Sequence, residues 1–171
     1  MITITSVVGN VNSDEELKDV YTKLGSEKKV EKVLLSRIEA QRSRVRKFSD
    51  AGTDLAISLG QGSMLKHGDV LLVDDNRLIV VEYEPEDVLG FKIKNELSSD
   101  QKIMVAIKLG HMIGNLHRPI CAKDNTVYIP IQSESENETI RKILAPVIDH
   151  IDIRRTKIIF EPQEGMEVHT H

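Results

Sequence analysis

Short strand-like segments separated by turn residues fill the first 76 residues of this chain. Between residues 54 and 59, for example, apolar Leu55, Ile57 and Leu59 alternate with polar or smaller side chains, which is the period of a half-buried strand. Comparable segments occupy residues 2–4, 32–35, 44–48 and 70–73. We therefore expect a small all-β N-terminal domain over residues 1–76, with a polar and partly helical surface excursion at residues 12–29.

Beyond a turn at residues 74–76, the pattern changes to strands that alternate with two helices. Ser98 is a helix N-cap ahead of residues 102–113, and Asn137 can cap a second helix over residues 138–147. We expect the accompanying strands at residues 77–82, 87–93, 119–122, 126–129 and 151–160.

This order of elements predicts the fold class. A β-rich sequence with two intervening helices fits a ferredoxin-like α+β domain, here over residues 77–160. Residues 161–171 remain as a flexible, histidine-bearing C-terminal tail. The chain as a whole is expected to be an α+β protein of two domains and a tail.

Composition argues against a nucleic-acid partner. The formal net charge of −4 leaves no general basic field, and 4% aromatic residues with no tryptophan leave few stacking platforms for bases. The alternate spacing of Arg42, Arg44 and Arg46 is more typical of a solvated or partner-facing strand than of a phosphate groove.

Other features predict a cytoplasmic protein that does not associate with membranes. Cys121 is the only cysteine, so no intrachain disulfide can form, and residues 1–4 lack the basic and apolar regions of a signal peptide. No apolar run approaches the roughly 20 residues that span a bilayer.

The first helix pattern contains a stripe of apolar and small residues. Ile103, Ile107, Gly110 and Gly114 fall on one side of a regular helix. The stripe either packs tightly on the domain's own sheet or meets the same stripe of a second copy. The sequence leaves both alternatives open.

Three histidines are the candidate metal ligands. Gly114 and Asn115 tolerate the left-handed conformation that ends many helices, so His117 is expected to project from a fixed point just past the helix. His169 and His171 are two residues apart and share one side of an extended tail. Imidazoles presented without a closed cage are the pattern of a metal carrier.

The other three histidines have simpler explanations. His67 and His150 lie in expected turns, where we predict solvated side chains. His111 lies about 120° around a regular helix from His117, so the two cannot chelate one ion from the same straight helix. We interpret His111 as structural or peripheral.

The order of several motifs resembles the UreE family of urease accessory proteins. Arg44-Val45-Arg46 precedes residues 52–59 and 65–71, and the sequence from Gly114 to His117 follows, before a histidine-bearing tail. The resemblance covers roughly residues 1–160. Departures occur at Leu116, where many members have Arg, and at Met112, where some have a second histidine.

The resemblance implies a nickel metallochaperone for urease maturation. It implies a homodimer that binds Ni(II) between two copies of His117, with His169 and His171 capturing the ion or completing its site. Imidazole suits Ni(II), and Zn(II) or Cu(II) are alternative ions in vitro. The implied partners are the urease apoprotein and its accessory proteins, especially the maturation GTPase.

Two other functions stay open at this point. In one, the protein is an assembly or interaction module without a metal, whose N-terminal domain binds partner chains or peptides. In the other, it is a metal-dependent enzyme. No nucleophile with a base and no phosphate-binding glycine loop is recognisable, so we expect a protein without catalytic activity.

Overall fold

The computed structural model describes residues 1–163 and divides the chain into two compact units, with the division between Glu84 and Pro85. Both units combine strands with helices, which confirms the α+β class. The first unit contains the strands β1 (Ile2–Ile4), β2 (Gly9–Asn10), β3 (Val30–Leu35), β4 (Arg44–Phe48), β5 (Asp54–Ser58), β6 (Asp69–Val73) and β7 (Leu78–Tyr83), and the helices α1 (Glu15–Ser26) and α2 (Arg37–Ala40).

The strands of the first unit form two sheets. One has the order β1-β5-β4, in which β4 and β5 form an antiparallel hairpin. The other has the order β2-β6-β7-β3, with β3 parallel to β7. Leu55 and Ile57 of β5 are buried in the same core as Val33 and Leu35 of β3. The two-residue period of each strand therefore directs one set of side chains into this core.

Helix α1 corrects the expectation that residues 1–76 are all-β. Asp14 caps this helix by accepting hydrogen bonds from the N–H groups of Glu16 and Leu17 at 3.0 and 3.1 Å. Only one side of the helix is apolar, and it packs Leu24 against the sheet residues Val70, Leu78 and Val80. This narrow apolar side explains why the segment resembled a polar surface excursion in the sequence.

The units divide after Glu84, whereas the sequence placed the domain boundary at residue 76. β7 pairs with β3 from Leu78 to Tyr83 and with β6 on its other side, so it belongs to the first unit. The turn at residues 74–76 connects β6 and β7, and the N–H of Asp74 donates to the carbonyl of Arg77 at 3.0 Å. The turn is therefore a hairpin turn within the first unit and not a linker between units.

The second unit is built on one antiparallel sheet of order β11-β8-β10-β9. Its elements are β8 (Glu86–Ile93), α3 (Ser99–Gly114), β9 (Cys121–Lys123), β10 (Thr126–Pro130), α4 (Glu134–Ile143), a 3₁₀ helix (Ala145–His150) and β11 (Ile151–Ile158). Apart from the 3₁₀ turn, this is the β-α-β-β-α-β order of ferredoxin-like domains. Phe91 of β8, Leu109 of α3 and Ile140 of α4 are buried in one core.

Helix α4 begins at Glu134, earlier than the predicted start at residue 138. Ser133 is its N-cap, and Asn137, the predicted cap, lies inside the helix and is buried. The Asn137 side chain donates to Glu134 at 2.7 Å and accepts from Arg141 at 3.0 Å. These two partners satisfy the buried amide, which explains how a cap-forming residue is accommodated in the helix.

The helices found in residues 1–163 are short, and the longest, α3, has 16 residues. None of them combines the length and apolar composition that a membrane-crossing helix requires.

Candidate metal site at the end of helix α3

Helix α3 begins at the N-cap that the sequence predicts and is fixed on the second unit by one apolar side. The Ser98 hydroxyl accepts from the N–H of Gln101 at 3.3 Å, and the Gln101 side chain accepts from the N–H of Ser98 at 3.0 Å. This capping box satisfies two N–H groups that the helix itself leaves free. The buried side consists of Val105, Leu109 and Ile113.

The helix ends differently from the sequence-based expectation. Asn115 keeps a right-handed conformation with φ −67°, and the left-handed residue is His117, with φ +49°. Few non-glycine residues adopt this conformation, although histidine is enriched among them. The N–H of His117 donates to the carbonyl of Gly114 at 3.1 Å, and that of Leu116 donates to Ile113 at 3.0 Å. His117 is exposed and projects from a hydrogen-bonded turn.

The residue after His117 is anchored to two other elements. The Arg118 guanidinium donates to the carbonyl of Pro130 at the end of β10 at 3.0 Å, and it forms an ion pair with Glu136 in the first turn of α4. Glu136 also accepts from the N–H of Gln132 at 2.6 Å. Both charged side chains are largely buried, at 27% and 19% exposure. The sequence does not predict this pair, although Ser133 and Glu136 have the spacing of a capping box.

The apolar stripe of α3 faces away from its own sheet. Ile103 and Ile107 are 58% and 62% exposed, and Met104 beside them is 54% exposed. Cβ atoms added at Gly110 and Gly114 would meet nothing within 4 Å. The alternative in which this stripe packs tightly on the domain's own sheet is therefore wrong.

Two residues near His117, His111 and Met112, have different environments. His111 is exposed in the last turn of α3, and its Nε2 lies 3.4 Å from the side-chain nitrogen of Asn115. Met112 is half-buried and packs against the core of the second unit. The structure therefore places His111 at the helix surface and uses Met112 in packing.

His67 has a structural role in the first unit, which corrects the prediction of a solvated turn. Its Nδ1 accepts a hydrogen bond from the backbone N–H of Tyr83 at 3.1 Å, and the residue is half-buried. His150 is exposed at the end of the 3₁₀ helix, and its carbonyl accepts from the N–H of Lys94 at 3.0 Å. Within residues 1–163, neither histidine belongs to a group of three or more side chains that could hold a metal ion.

The last described residues run beside the turn that carries His117. The N–H of Gln163 donates to the carbonyl of Ile120 at 2.9 Å. The predicted ligands His169 and His171 lie outside the described residues. Burial raises the pKa of the neighbouring Cys121 thiol.

One copy of the chain does not supply a closed metal cage in the part that the structure describes. Among residues 1–163, no three or more side chains of His, Cys, Asp or Glu are grouped so that they could hold an ion. At the end of α3, His117 offers one exposed imidazole. Fold and site together define a two-unit α+β protein in which this imidazole projects from a hydrogen-bonded turn.

Comparison with known proteins identifies the family. Residues 4–84 match the model of the UreE urease accessory protein, N-terminal domain. A urease accessory protein UreE from Natronomonas pharaonis is 34% identical over 149 residues, which is 86% of this chain and 65% of that protein. Those of Yersinia enterocolitica and Yersinia pestis are each 39% identical over 140 residues, which is 77% of this chain and 57% of theirs.

The chain belongs to the UreE family of urease accessory proteins, and the resemblance drawn from its sequence is confirmed. It spans between 57% and 65% of the length of these curated relatives.

Proposed function

We propose that this chain is a homodimeric metallochaperone that binds Ni(II) as cargo and donates it during assembly of the urease metal centre. The proposal assigns the ion to His117 from two copies, together with His169 and His171 of the tails. Nickel accepts imidazole nitrogen, and a carrier needs an incomplete site because a filled cage releases its ion slowly.

The observation that carries the proposal is the position of His117 relative to the exposed stripe of α3. Exposed apolar surface on a helix is costly in water and is typical of interaction sites. Ile107 lies in the middle of the stripe, and Gly114 at its end lies three residues before His117. If two copies pair around a two-fold axis at the Gly114 end of this stripe, the glycines permit close approach and the two His117 side chains come together beside the axis.

The tail can reach this end of the interface. Gln163 is hydrogen-bonded to Ile120, which is three residues from His117. Six residues separate Gln163 from His169, and an extended chain covers roughly 20 Å over that number. This span exceeds the roughly 11 Å that separate Ile120 from His117 at most, so chain length does not prevent His169 or His171 from sharing the ion.

The proposal includes a place in the cell and a set of partners. Delivery takes place in the cytoplasm, and the recipients are the urease apoprotein and its accessory proteins, above all the maturation GTPase. The chain itself has no catalytic role. By the Irving–Williams order Cu(II) binds the same imidazoles more tightly than Ni(II), so metal supply and partners have to provide selectivity.

One observation favours a second candidate, an interaction module without a metal. Residues 1–163 contain no ready group of three ligands, so the metal site depends on dimer formation and on the tail. Without both, the two units would only bind other proteins of the assembly.

Calorimetric titration of Ni(II) into the full chain separates these candidates. We expect a class of high-affinity Ni(II) sites with a stoichiometry of about one ion per two chains. These sites should be lost in His117→Ala and retained in His111→Ala. His111 is a suitable control because it is also exposed at the same helix end. Circular dichroism checks that the variants fold. Wild-type protein without high-affinity sites would favour the interaction module, and unchanged high-affinity sites in His117→Ala would refute His117 as the ligand.

A further inference from the structure

We propose that Arg118 and Glu136 are positioning residues for His117, holding the imidazole in the orientation that a shared metal ion requires. This inference rests on the proposed function, because it assigns a role within the same site. Neither residue is expected to touch the ion. They act through the backbone of the turn after α3.

The turn is held on both sides of His117. On one side Leu116 packs against the core of the second unit, and its N–H donates to Ile113 at 3.0 Å. On the other side Arg118 donates to the Pro130 carbonyl at 3.0 Å and pairs with Glu136. His117 thus lies between two anchored neighbours while its own side chain remains exposed.

The anchor on the Arg118 side is itself fixed. Glu136 uses its second oxygen to accept from the N–H of Gln132 at 2.6 Å, and its own N–H donates to the Ser133 hydroxyl at 3.4 Å. The guanidinium therefore bonds to the end of β10 and to the start of α4 at once. A planar guanidinium that makes two directed bonds restricts its backbone more than a lysine ammonium can.

This restriction matters because His117 has an unfavourable backbone conformation. A left-handed non-glycine residue costs on the order of 1 kcal/mol or more, and it persists only where its surroundings determine it. If Arg118 were released, the peptide after His117 could rotate toward a right-handed or extended conformation. The imidazole would then point elsewhere, although the rest of the unit would stay folded.

Arg155 provides a matched control for a merely structural effect. It is also an arginine of the second unit, on β11, and it forms an ion pair with Glu134 in the same first turn of α4 and contacts Asp87 at 3.4 Å. Its ion pairs are with Asp87 and Glu134, neither of which belongs to the turn after α3, so Arg155→Ala removes a comparable ion pair without releasing the His117 turn.

The experiment compares Arg118→Ala, Arg118→Lys, Glu136→Gln and Arg155→Ala in the full chain. Nickel Kd is measured by calorimetry and dimer formation by sedimentation. Cu(II), loaded as a probe, reports ligand geometry through its electron paramagnetic resonance spectrum. We expect Arg118→Ala and Glu136→Gln to weaken nickel binding by about 10-fold or more, within the range known for residues that orient metal ligands. The copper spectrum should change in both variants, whereas Arg118→Lys should be intermediate and Arg155→Ala should match wild type.

The positioning role would be overturned if Arg118→Ala and Glu136→Gln had the nickel affinity and the copper spectrum of wild type. His117 would then remain a ligand. An equal loss in Arg155→Ala would also overturn the positioning role, because the effect would then be general to the unit. If Arg118→Ala fails to fold, Glu136→Gln carries the comparison, since it changes one atom and keeps one acceptor oxygen. Tight nickel binding that survives in His117→Ala would overturn the metal site and the positioning role together.

Discussion

The backbone N–H of Gln163 donates a hydrogen bond of 2.9 Å to the carbonyl oxygen of Ile120. This contact fixes the last described part of the chain next to the turn that presents His117. Phe160, three residues earlier, is fully buried, so the segment before residue 163 belongs to the folded unit. A chain that ends at Gln163 retains both Phe160 and the hydrogen bond to Ile120.

A chain truncated after Gln163 should keep the fold and the dimer of the full chain, because Phe160 and the contact to Ile120 remain. Its nickel affinity or capacity should fall, since His169 and His171 are lost. Calorimetry measures the nickel binding, and thermal unfolding checks stability. The double variant His169→Ala with His171→Ala is the control that keeps the tail length. Identical nickel binding in all three proteins would contradict a ligand role for the tail.

Ile107→Glu should dissociate the dimer without unfolding the chain. The Ile107 side chain is 62% exposed in one copy, and burial of an isoleucine at an interface is worth about 1.5–3 kcal/mol. A symmetric interface contains Ile107 from both copies, so the burial free energy is lost twice. We therefore expect the dimer Kd to rise by about 100-fold or more. Sedimentation velocity measures the change.

Ile143→Glu is the matched control for this prediction, because Ile143 is also an exposed isoleucine of the second unit, at the end of α4 with 40% exposure. It should leave the dimer intact. A dimer that dissociates in Ile143→Glu and persists in Ile107→Glu would place the interface on another face.

His117→Gly should raise the free energy of unfolding while it removes the metal ligand. Glycine adopts φ +49° without the steric cost that histidine has, although the unfolded chain gains freedom. The net gain should be about 0.5–1 kcal/mol by urea denaturation. Asn115→Gly is the control, because Asn115 has φ −67° and glycine should be neutral or destabilising there. Greater destabilisation in His117→Gly than in Asn115→Gly would contradict this explanation.

Local signals in the sequence predicted much of the fold. Ser98, with Gln101 three residues later, is a capping signature, and the structure starts α3 there. The alternation of Leu55 and Ile57 predicted a strand whose apolar side is buried. In both cases the residues that determine the helix or strand are close together in the sequence. The sequence pattern therefore predicts the helix or strand.

The remaining features depend on long-range contacts. Nothing local distinguishes β7 as the last strand of the first unit, because its partner β3 lies some fifty positions earlier. The pair of Arg118 and Glu136 joins residues 18 apart. The left-handed conformation at His117 likewise depends on how its neighbours are anchored, and the sequence assigned it to Gly114 and Asn115 instead.

The first unit offers a prediction about pH that is independent of the metal site. In the capping box of α2, Glu39 accepts from the N–H and the hydroxyl of Ser36 at 3.0 Å each and pairs with Lys47 at 2.9 Å. The hydrogen bond from Lys47, followed by that from the Ser36 backbone, lowers the pKa of Glu39 from 4.5 to about 2. A lowered pKa in the folded state means that ionised Glu39 stabilises the fold, and that this stability is present above the pKa of the unfolded chain.

Glu39→Gln should therefore lower the free energy of unfolding by about 1–2 kcal/mol at pH 6, a value that allows for solvent screening of a partly exposed pair. The difference from wild type should shrink as pH falls from about 4.5 and be small near pH 2, where Glu39 is protonated in the unfolded chain and about half protonated in the fold. Urea denaturation followed by circular dichroism at pH 6, 4 and 3 measures it. Glu138→Gln, an exposed carboxylate on α4, is the control and should differ little from wild type at any of these values. A deficit in Glu39→Gln that stays constant from pH 6 to 3 would mean that shape, and not the charge of Glu39, stabilises the start of α2.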